Sequence, residues 1–410
     1  MVDGSKPGIE DNDDANGATA SRAPSSRGRS YRDLTGESIE ETLNLATWDP
    51  ADRLAEQFSR IEREIESALV REMDSRVAIR EKIFPLLQSR ADAPLNAGVH
   101  QVSLDELRMI QRSLLFSGHV QAVDGASVIH QTLPITIVQT AVVMANYLGE
   151  TGAWGHRIFQ KDVRLQPRNG LDEALAFLQG RAEQDEEGGA GITDMLRRGL
   201  MMHGELNVLA TAATAPWRIG HGHPLPKELI TGTGIPELIE LSIPLFRELF
   251  FNHKHFVYVP RGSKDPLFRT IGGALLPLEY AIVQDVSTYL ENVIEGGHYG
   301  RGRFKQAKAL LDAFHFEAAH KIVAGVFRVS PHSPPQIFYA HSDHAAEAAL
   351  VAMADAILVE TRGFPMLLDV AGMLCRELFP PDAILRPAAA VYAKSSLSNG
   401  LNASYDEKKG

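Results

Sequence analysis

The 410-residue sequence contains one cysteine, Cys375. An internal disulfide framework and a cysteine-built zinc cage are therefore excluded, and a single thiol fits a reducing, cytoplasmic setting. Long apolar runs are also missing. The longest, residues 133–148, falls short of the ~20 residues a membrane span needs, and Gln139 and Asn146 interrupt it, so no transmembrane segment is expected. The first 30 residues are rich in Gly, Ser, Asp and Asn without an apolar centre, matching neither a secretory signal nor an anchor. A basic excess is absent as well. The net charge of -11 argues against a surface that is basic throughout, but a local basic groove depends on clustering, not on the sum.

Several stock catalytic signatures are lacking. There is no Walker A loop, no Rossmann glycine fingerprint, no Gly-x-Ser-x-Gly elbow and no His-Glu-x-x-His pair. What remains is a chain with 44% hydrophobic and 23% charged residues, ordinary for a globular protein and long enough for a sizeable core.

Residues 1–35 carry too little hydrophobicity to offset the entropy of ordering and are expected to be a disordered tail. Residues 36–100 are expected to form a helical arm. Phe58, Ile61, Ile65, Leu69 and Met73 recur there in steps of three and four, a stripe that calls for a partner helix in this chain or in a second copy. Residues 101–385 form the expected main domain and 386–410 a flexible tail. Within the main domain a strand is expected over 120–123, ending at Asp124. The apolar run 133–143 fits either a central strand or a buried helix, and 159–165 a further strand. Residues 183–191 look like an exposed loop, and 220–226 a stiff one. Helices are expected over 195–213, 235–251, 345–360 and 365–379, with strands over 255–260, 321–329 and 336–340. Mixed strands flanked by helices indicate an α/β or α+β class.

Carboxylates carry the most interesting chemistry. Metal-assisted phosphodiester cleavage uses two or three acidic groups converging from separate elements, so that divalent ions sit between the attacking water and the leaving oxygen. Asp124, followed by Gly125, suits such a role; a plain Asp-Gly turn is the alternative. Glu205 is the only acidic residue between Asp194 and Glu228. The pairs His221/His223 and His341/His344 are candidate transition-metal ligands, which leaves a zinc hydrolase as a further option. Asp355 is a candidate to point into the site, Glu228 and Glu279 to be buried and paired, and Lys321, Arg328 and Arg362 to contact phosphate or to pair with neighbouring acids.

The order of these segments resembles the NurA family of DNA end-resection nucleases. The resemblance rests on Val123-Asp124-Gly125, the helical Gly204-Glu205, the loop His221-Gly222-His223-Pro224-Leu225-Pro226 and the run from Gly363-Phe364-Pro365 to Asp369-Val370-Ala371. It implies an RNase H-like α/β core, Mn²⁺ or Mg²⁺ as cofactor, DNA as substrate, a hexameric HerA-type ATPase as partner in DNA repair or defence, and a homodimer around the DNA channel. Asp124 and Glu205 match the family's metal ligands. His221 stands where a family carboxylate is usual, Ala126 for a serine, Phe364 for a tyrosine and Gly372 for a histidine. Asp369, one helical turn before Gly372, is expected to complete the ligand set with Asp124 and Glu205, with His221 assisting or positioning water. If these substitutions are not made good, the implied function is that of an adaptor that binds the ATPase and DNA without cleaving.

Overall fold

The computed structural model describes residues 31–48, 54–132, 135–161, 194–262, 265–297, 299–300, 302–380 and 382–395. The loop at 183–191 and the end of the strand expected over 159–165 lie outside the described residues. The chain divides into two compact units, Met1–Glu72 and Met73–Gly410.

In the first unit, Tyr31–Thr35, part of the tail expected to be disordered, is helical, and a second short helix spans Ile39–Leu43. Ser38 caps the latter: its hydroxyl accepts from the Glu41 N–H at 3.1 Å while the Glu41 carboxylate accepts from the Ser38 N–H at 2.8 Å. This reciprocal box satisfies two otherwise orphaned donors. The apolar stripe lies on one long helix, Leu54–Lys82, and Phe58, Ile61, Ile65 and Leu69 are exposed on it.

The second unit is built on one mixed sheet of nine strands: β1 (Gly98–Gln101), β2 (Val120–Thr132), β3 (Ile135–Ala145), β4 (Thr151–Lys161), β5 (Trp217–His221), β6 (Phe256–Val259), β7 (Glu279–Asp285), β8 (Ile322–Arg328) and β9 (Gln336–His341). Their order is β1-β7-β8-β9-β6-β5-β2-β3-β4. Only β2, β5 and β6 run parallel to one another; all other pairings are antiparallel. The expected α/β architecture of a mixed sheet flanked by helices is present.

The ambiguous apolar run is a strand. Its β-branched residues suit a pleated surface covered on both faces, and Val138, Val142 and Val143 are buried. The strand expected to stop at Asp124 instead continues to Thr132. It pairs antiparallel with β3 from Ala122↔Ala145 to Thr132↔Ile135, which carries Asp124-Gly125 through mid-strand and removes the turn reading. Three strands went unrecognised: β1, four residues long, β5, five residues long among glycines and histidines, and β7, seven residues behind a Pro-Leu-Glu segment.

Alternation along β2 separates two cores. Val120 and Ala122 join Ile219, Val257 and the alanine-rich helix Ala345–Ala356 on one face. Val123 joins Leu206, Phe246 and Phe250 on the other, from the helices Asp194–Asn207 and Pro236–Arg247 and the π-turn Glu248–His253. Each fully buried Phe or Leu contributes about 2 kcal/mol of transfer free energy. The helix Met366–Leu378 covers the first face, where Leu367 and Leu368 are buried.

Buried charge reinforces this frame. Glu279 and Arg80 form a two-pronged pair at 2.7 and 3.0 Å, as its apolar setting suggested. Glu228 meets Arg198 at 3.3 Å. Asp355, fully buried, accepts a short hydrogen bond from the Tyr147 hydroxyl and one of 2.9 Å from the Leu367 N–H. It therefore holds the start of the Met366–Leu378 helix to the core instead of pointing into the site.

Burial pushes the Asp355 carboxyl up to about 6, against the opposing pull of those two hydrogen bonds. With the folded value above the unfolded one, the native state keeps a proton that the unfolded chain has lost. Its stabilising contribution is thus present at low pH and is lost as pH rises through about 6. Urea unfolding of Asp355→Asn and wild type should show their stability difference moving by roughly 1–3 kcal/mol in the variant's favour between about pH 4 and pH 7. An unmoved difference would show that Asp355 does not titrate there.

Candidate functional site

The two parallel ladders end at one level of the sheet. Val123, the last β2 residue paired with β5, lies opposite Gly220, and His221 opposite Val259, so Asp124 in mid-β2, His221 at the end of β5 and Arg261 just past β6 come together. Ligand sites in open α/β sheets favour this edge, where side chains leave the ladder and helices have not yet closed over them. Parallel pairing of β2 stops at Val123 although β3 continues beside it, which leaves Asp124 beside an open flank.

Asp124 is 4% exposed. Its Oδ1 lies 3.1 Å from His221 Nδ1 and its Oδ2 3.6 Å from Arg261 Nη2. The same Nη2 donates to Asp369 Oδ1 at 3.1 Å, and Arg362 Nη1 approaches Asp369 Oδ2 at 2.6 Å. Asp124, Arg261, Asp369 and Arg362 thus form a continuous ionic chain. Both arginines also lie over the Phe364 ring, 5.5 and 5.7 Å from its centre. Burial raises Asp369 above the usual carboxylate range, Arg362 and Arg261 oppose it, and Asp124 adds to the rise.

Gly372 has a positive role here. A Cβ at that position would stand 2.5 Å from Asp124 Oδ2 and 3.4 Å from Arg261 Nη2. The absent side chain is the space that the Asp124 carboxylate fills. Asp369 lies on the same helical face, as its spacing implied, but it reaches Arg261 and Arg362.

Glu205 arrives from the other side of the sheet. Gly125 alternates away from Asp124, and a Cβ there would meet Glu205 Oε1 at 2.5 Å and Met201 at 2.9 Å. Asp124 and Glu205 therefore approach adjacent residues of β2 from opposite faces. Glu205 and His221 line a cavity of about 30 Å³ with Tyr258.

The histidine pairs separate. His223 is half-buried between Tyr289 and Tyr339, accepts from the Leu225 N–H at 3.0 Å, and is pushed down to about 3 by desolvation, which keeps it neutral. His341 is buried and accepts from the Asp343 N–H, whereas His344 turns to Glu347 and lies tilted against His255, ring centres 4.1 Å apart. Burial pushes the Cys375 thiol up to about 12, unsuited to a nucleophile. Arg328 spends its guanidinium on the carbonyls of Leu275, Ser330 and Pro331.

As placed here, the candidate side chains do not converge into a donor set for a divalent metal. Among the described residues no group of three His, Cys, Asp or Glu side chains is placed to hold an ion. Asp369 gives both oxygens to arginines, and a guanidinium beside Asp124 repels a second cation. The residue that composition and spacing missed is Arg261. Its place depends on strand direction: Pro260-Arg261-Gly262 follows directly on β6, and the parallel pairing of β6 with β5 brings it beside Asp124.

No family model matches the chain, and no curated protein does. Among solved structures, the NurA nuclease from Sulfolobus solfataricus is similar at 12% identity, over 84% of this chain and 98% of that one, with a TM-score of 0.42. NurA with manganese follows at 10% identity, 71% and 96% coverage and a TM-score of 0.36. Endonuclease V from Ciona intestinalis, in complex with inosine-containing DNA, gives 11%, 67%, 93% and 0.25. Likeness at this level defines neither fold family nor chemistry.

Gly372→Ala should destabilise the protein by roughly 1–3 kcal/mol in denaturant unfolding, because the displaced Asp124 carboxylate is held by His221 and Arg261. Gly300→Ala, with nothing within 4 Å of the new methyl, is the matched control and should leave stability nearly unchanged.

Proposed function

We propose that this chain is a nuclease-like DNA-binding adaptor, with an RNase H-like core, that has exchanged metal catalysis for an ion-paired site. The observation that carries the reading is Arg261, whose one nitrogen serves both Asp124 and Asp369. A guanidinium there supplies the positive charge that a bound cation would otherwise bring to two neighbouring carboxylates. His221 in place of a carboxylate, Phe364 in place of a hydroxyl and Gly372 in place of a proton-transfer group support the same reading through the resemblance of the motifs to NurA. On that resemblance the partners are DNA and a hexameric HerA-type ATPase, a second copy of the chain completes the assembly, and the role is in DNA repair or defence. The domain limits expected from composition, 36–100 for the arm and 101–385 for the main body, belong to the same proposal.

A second reading is favoured by one specific observation. Gly125 and Gly372 clear space beside β2 for Glu205 and Asp124, as a site built around those carboxylates needs. In that case Asp124, Glu205 and Asp369 are the ligands of Mn²⁺ or Mg²⁺, His221 assists, and the activity is a metal-dependent deoxyribonuclease.

Calorimetric titration with MnCl₂ and an assay on linear DNA separate the two. The adaptor reading expects no saturable Mn²⁺ binding, DNA binding that survives EDTA, and no cleavage above that of Asp124→Ala. Mn²⁺-dependent cleavage that disappears in Asp124→Ala would replace it with the nuclease.

A further inference from the structure

Arg261 and Phe364 also border a cavity of about 480 Å³, which Asp124 does not line. Three arginines line it, Arg261, Arg362 and Arg269. The first two are held by Asp369 and rest on the Phe364 ring, so their donors are oriented before any ligand arrives. Arg269, on the helix Pro266–Ala274, is exposed, and no carboxylate among the described residues pairs with it. Charge at this spot is therefore three guanidiniums against the shared carboxylates of Asp369 and, more distantly, Asp124.

The remaining wall is apolar and firmly set. Phe268, Pro334, Pro335 and Ile337 contribute it. A Cβ at Gly272 would meet Pro335 at 2.6 Å, so the helix sits directly on the proline turn. Gly363, at φ +60, brings its backbone against Ser333, which fixes Arg362 and Phe364 relative to that turn. Planar guanidiniums match phosphate oxygens with two parallel hydrogen bonds, and an apolar, partly aromatic wall matches a base. The volume falls within the ~300–1,000 Å³ of small-ligand sites, much more than phosphate alone would fill.

We propose that this cavity is a metal-independent binding site for a nucleoside monophosphate group, either a free nucleotide or the terminal nucleotide of a strand. The phosphate lies between Arg269 and the Arg261–Arg362 pair, and competes with Asp369 for the latter. The base lies against Phe268 and the prolines. The strand-end form rests on the DNA-binding reading above; the free-nucleotide form does not.

The test is calorimetric titration of the full chain in EDTA with adenosine 5′-monophosphate, adenosine, and an oligothymidylate carrying either a 5′-phosphate or a 5′-hydroxyl. Saturable binding of the monophosphate is expected, with adenosine weaker by about tenfold or more, as loss of charged hydrogen bonds implies. Arg269→Ala, remote from the Asp124 ion pairs, should weaken monophosphate binding by about tenfold without altering thermal unfolding. A matching preference for the 5′-phosphorylated oligonucleotide identifies strand ends as the source; its absence, with the monophosphate still bound, identifies the free nucleotide. Equal binding of adenosine and its monophosphate, no saturable binding, or an unchanged Arg269→Ala overturns the proposal. DNA binding without monophosphate binding removes the cavity and leaves the adaptor reading, whereas monophosphate binding without DNA binding does the reverse.

Discussion

Two carboxylates on neighbouring elements, Asp124 buried and Asp369 half-buried, repel each other unless a cation is shared between them. In this protein the cation is covalently part of the chain. Arg261 reaches from the end of β6 to Asp124 on β2 and Asp369 on the Met366–Leu378 helix, so one guanidinium joins sheet to helix. Removing Arg261 leaves the buried Asp124 charge without its guanidinium, a larger penalty than losing an exposed pair. The conformation of the whole edge follows from that constraint, including the stacking of both arginines on Phe364 and the closeness of Gly372 to Asp124.

The sheet makes this possible through a topological accident of direction. Three parallel strands stand in the middle of an otherwise antiparallel sheet, and the level at which their parallel pairing stops collects side chains from positions 124, 221 and 261. These residues are far apart in sequence but consecutive in space. The same strand then separates its two carboxylate neighbours: position 124 faces the Met366–Leu378 helix and position 125 the Asp194–Asn207 helix. Alternation with a period of two is enough to place Asp369 and Glu205 on opposite sides.

Much of this frame was legible in the residues. The helices around Glu205 and Asp369, the strand leading to Asp124, the burial of Glu279 and the same-face relation of Asp369 and Gly372 all follow from periodicity and composition. The extent of β2 was not, because Asp-Gly is a turn signal that eleven residue pairs with β3 override. β5 was hidden among glycines and histidines whose local preference is for loops, and it holds because β2 and β6 flank it. Arg261 was missed for a deeper reason. Its importance comes from strand direction, and no local pattern distinguishes a parallel neighbour from an antiparallel one. Asp355, read as a possible site residue, shows the converse: a carboxylate on an apolar helix face can be a structural brace when a backbone N–H and a phenol await it.

Gly372 also bears on how such a site can change over generations. The space where a side chain would begin is taken up by the carboxylate of Asp124, which is itself fixed by His221 and Arg261. A larger residue at 372 is thus acceptable only after Asp124 has moved, and Asp124 is free to move only after Arg261 has let go. The order of substitutions matters, which makes the ion-paired arrangement an epistatic trap: each single step toward a different active site is opposed by packing that other residues maintain.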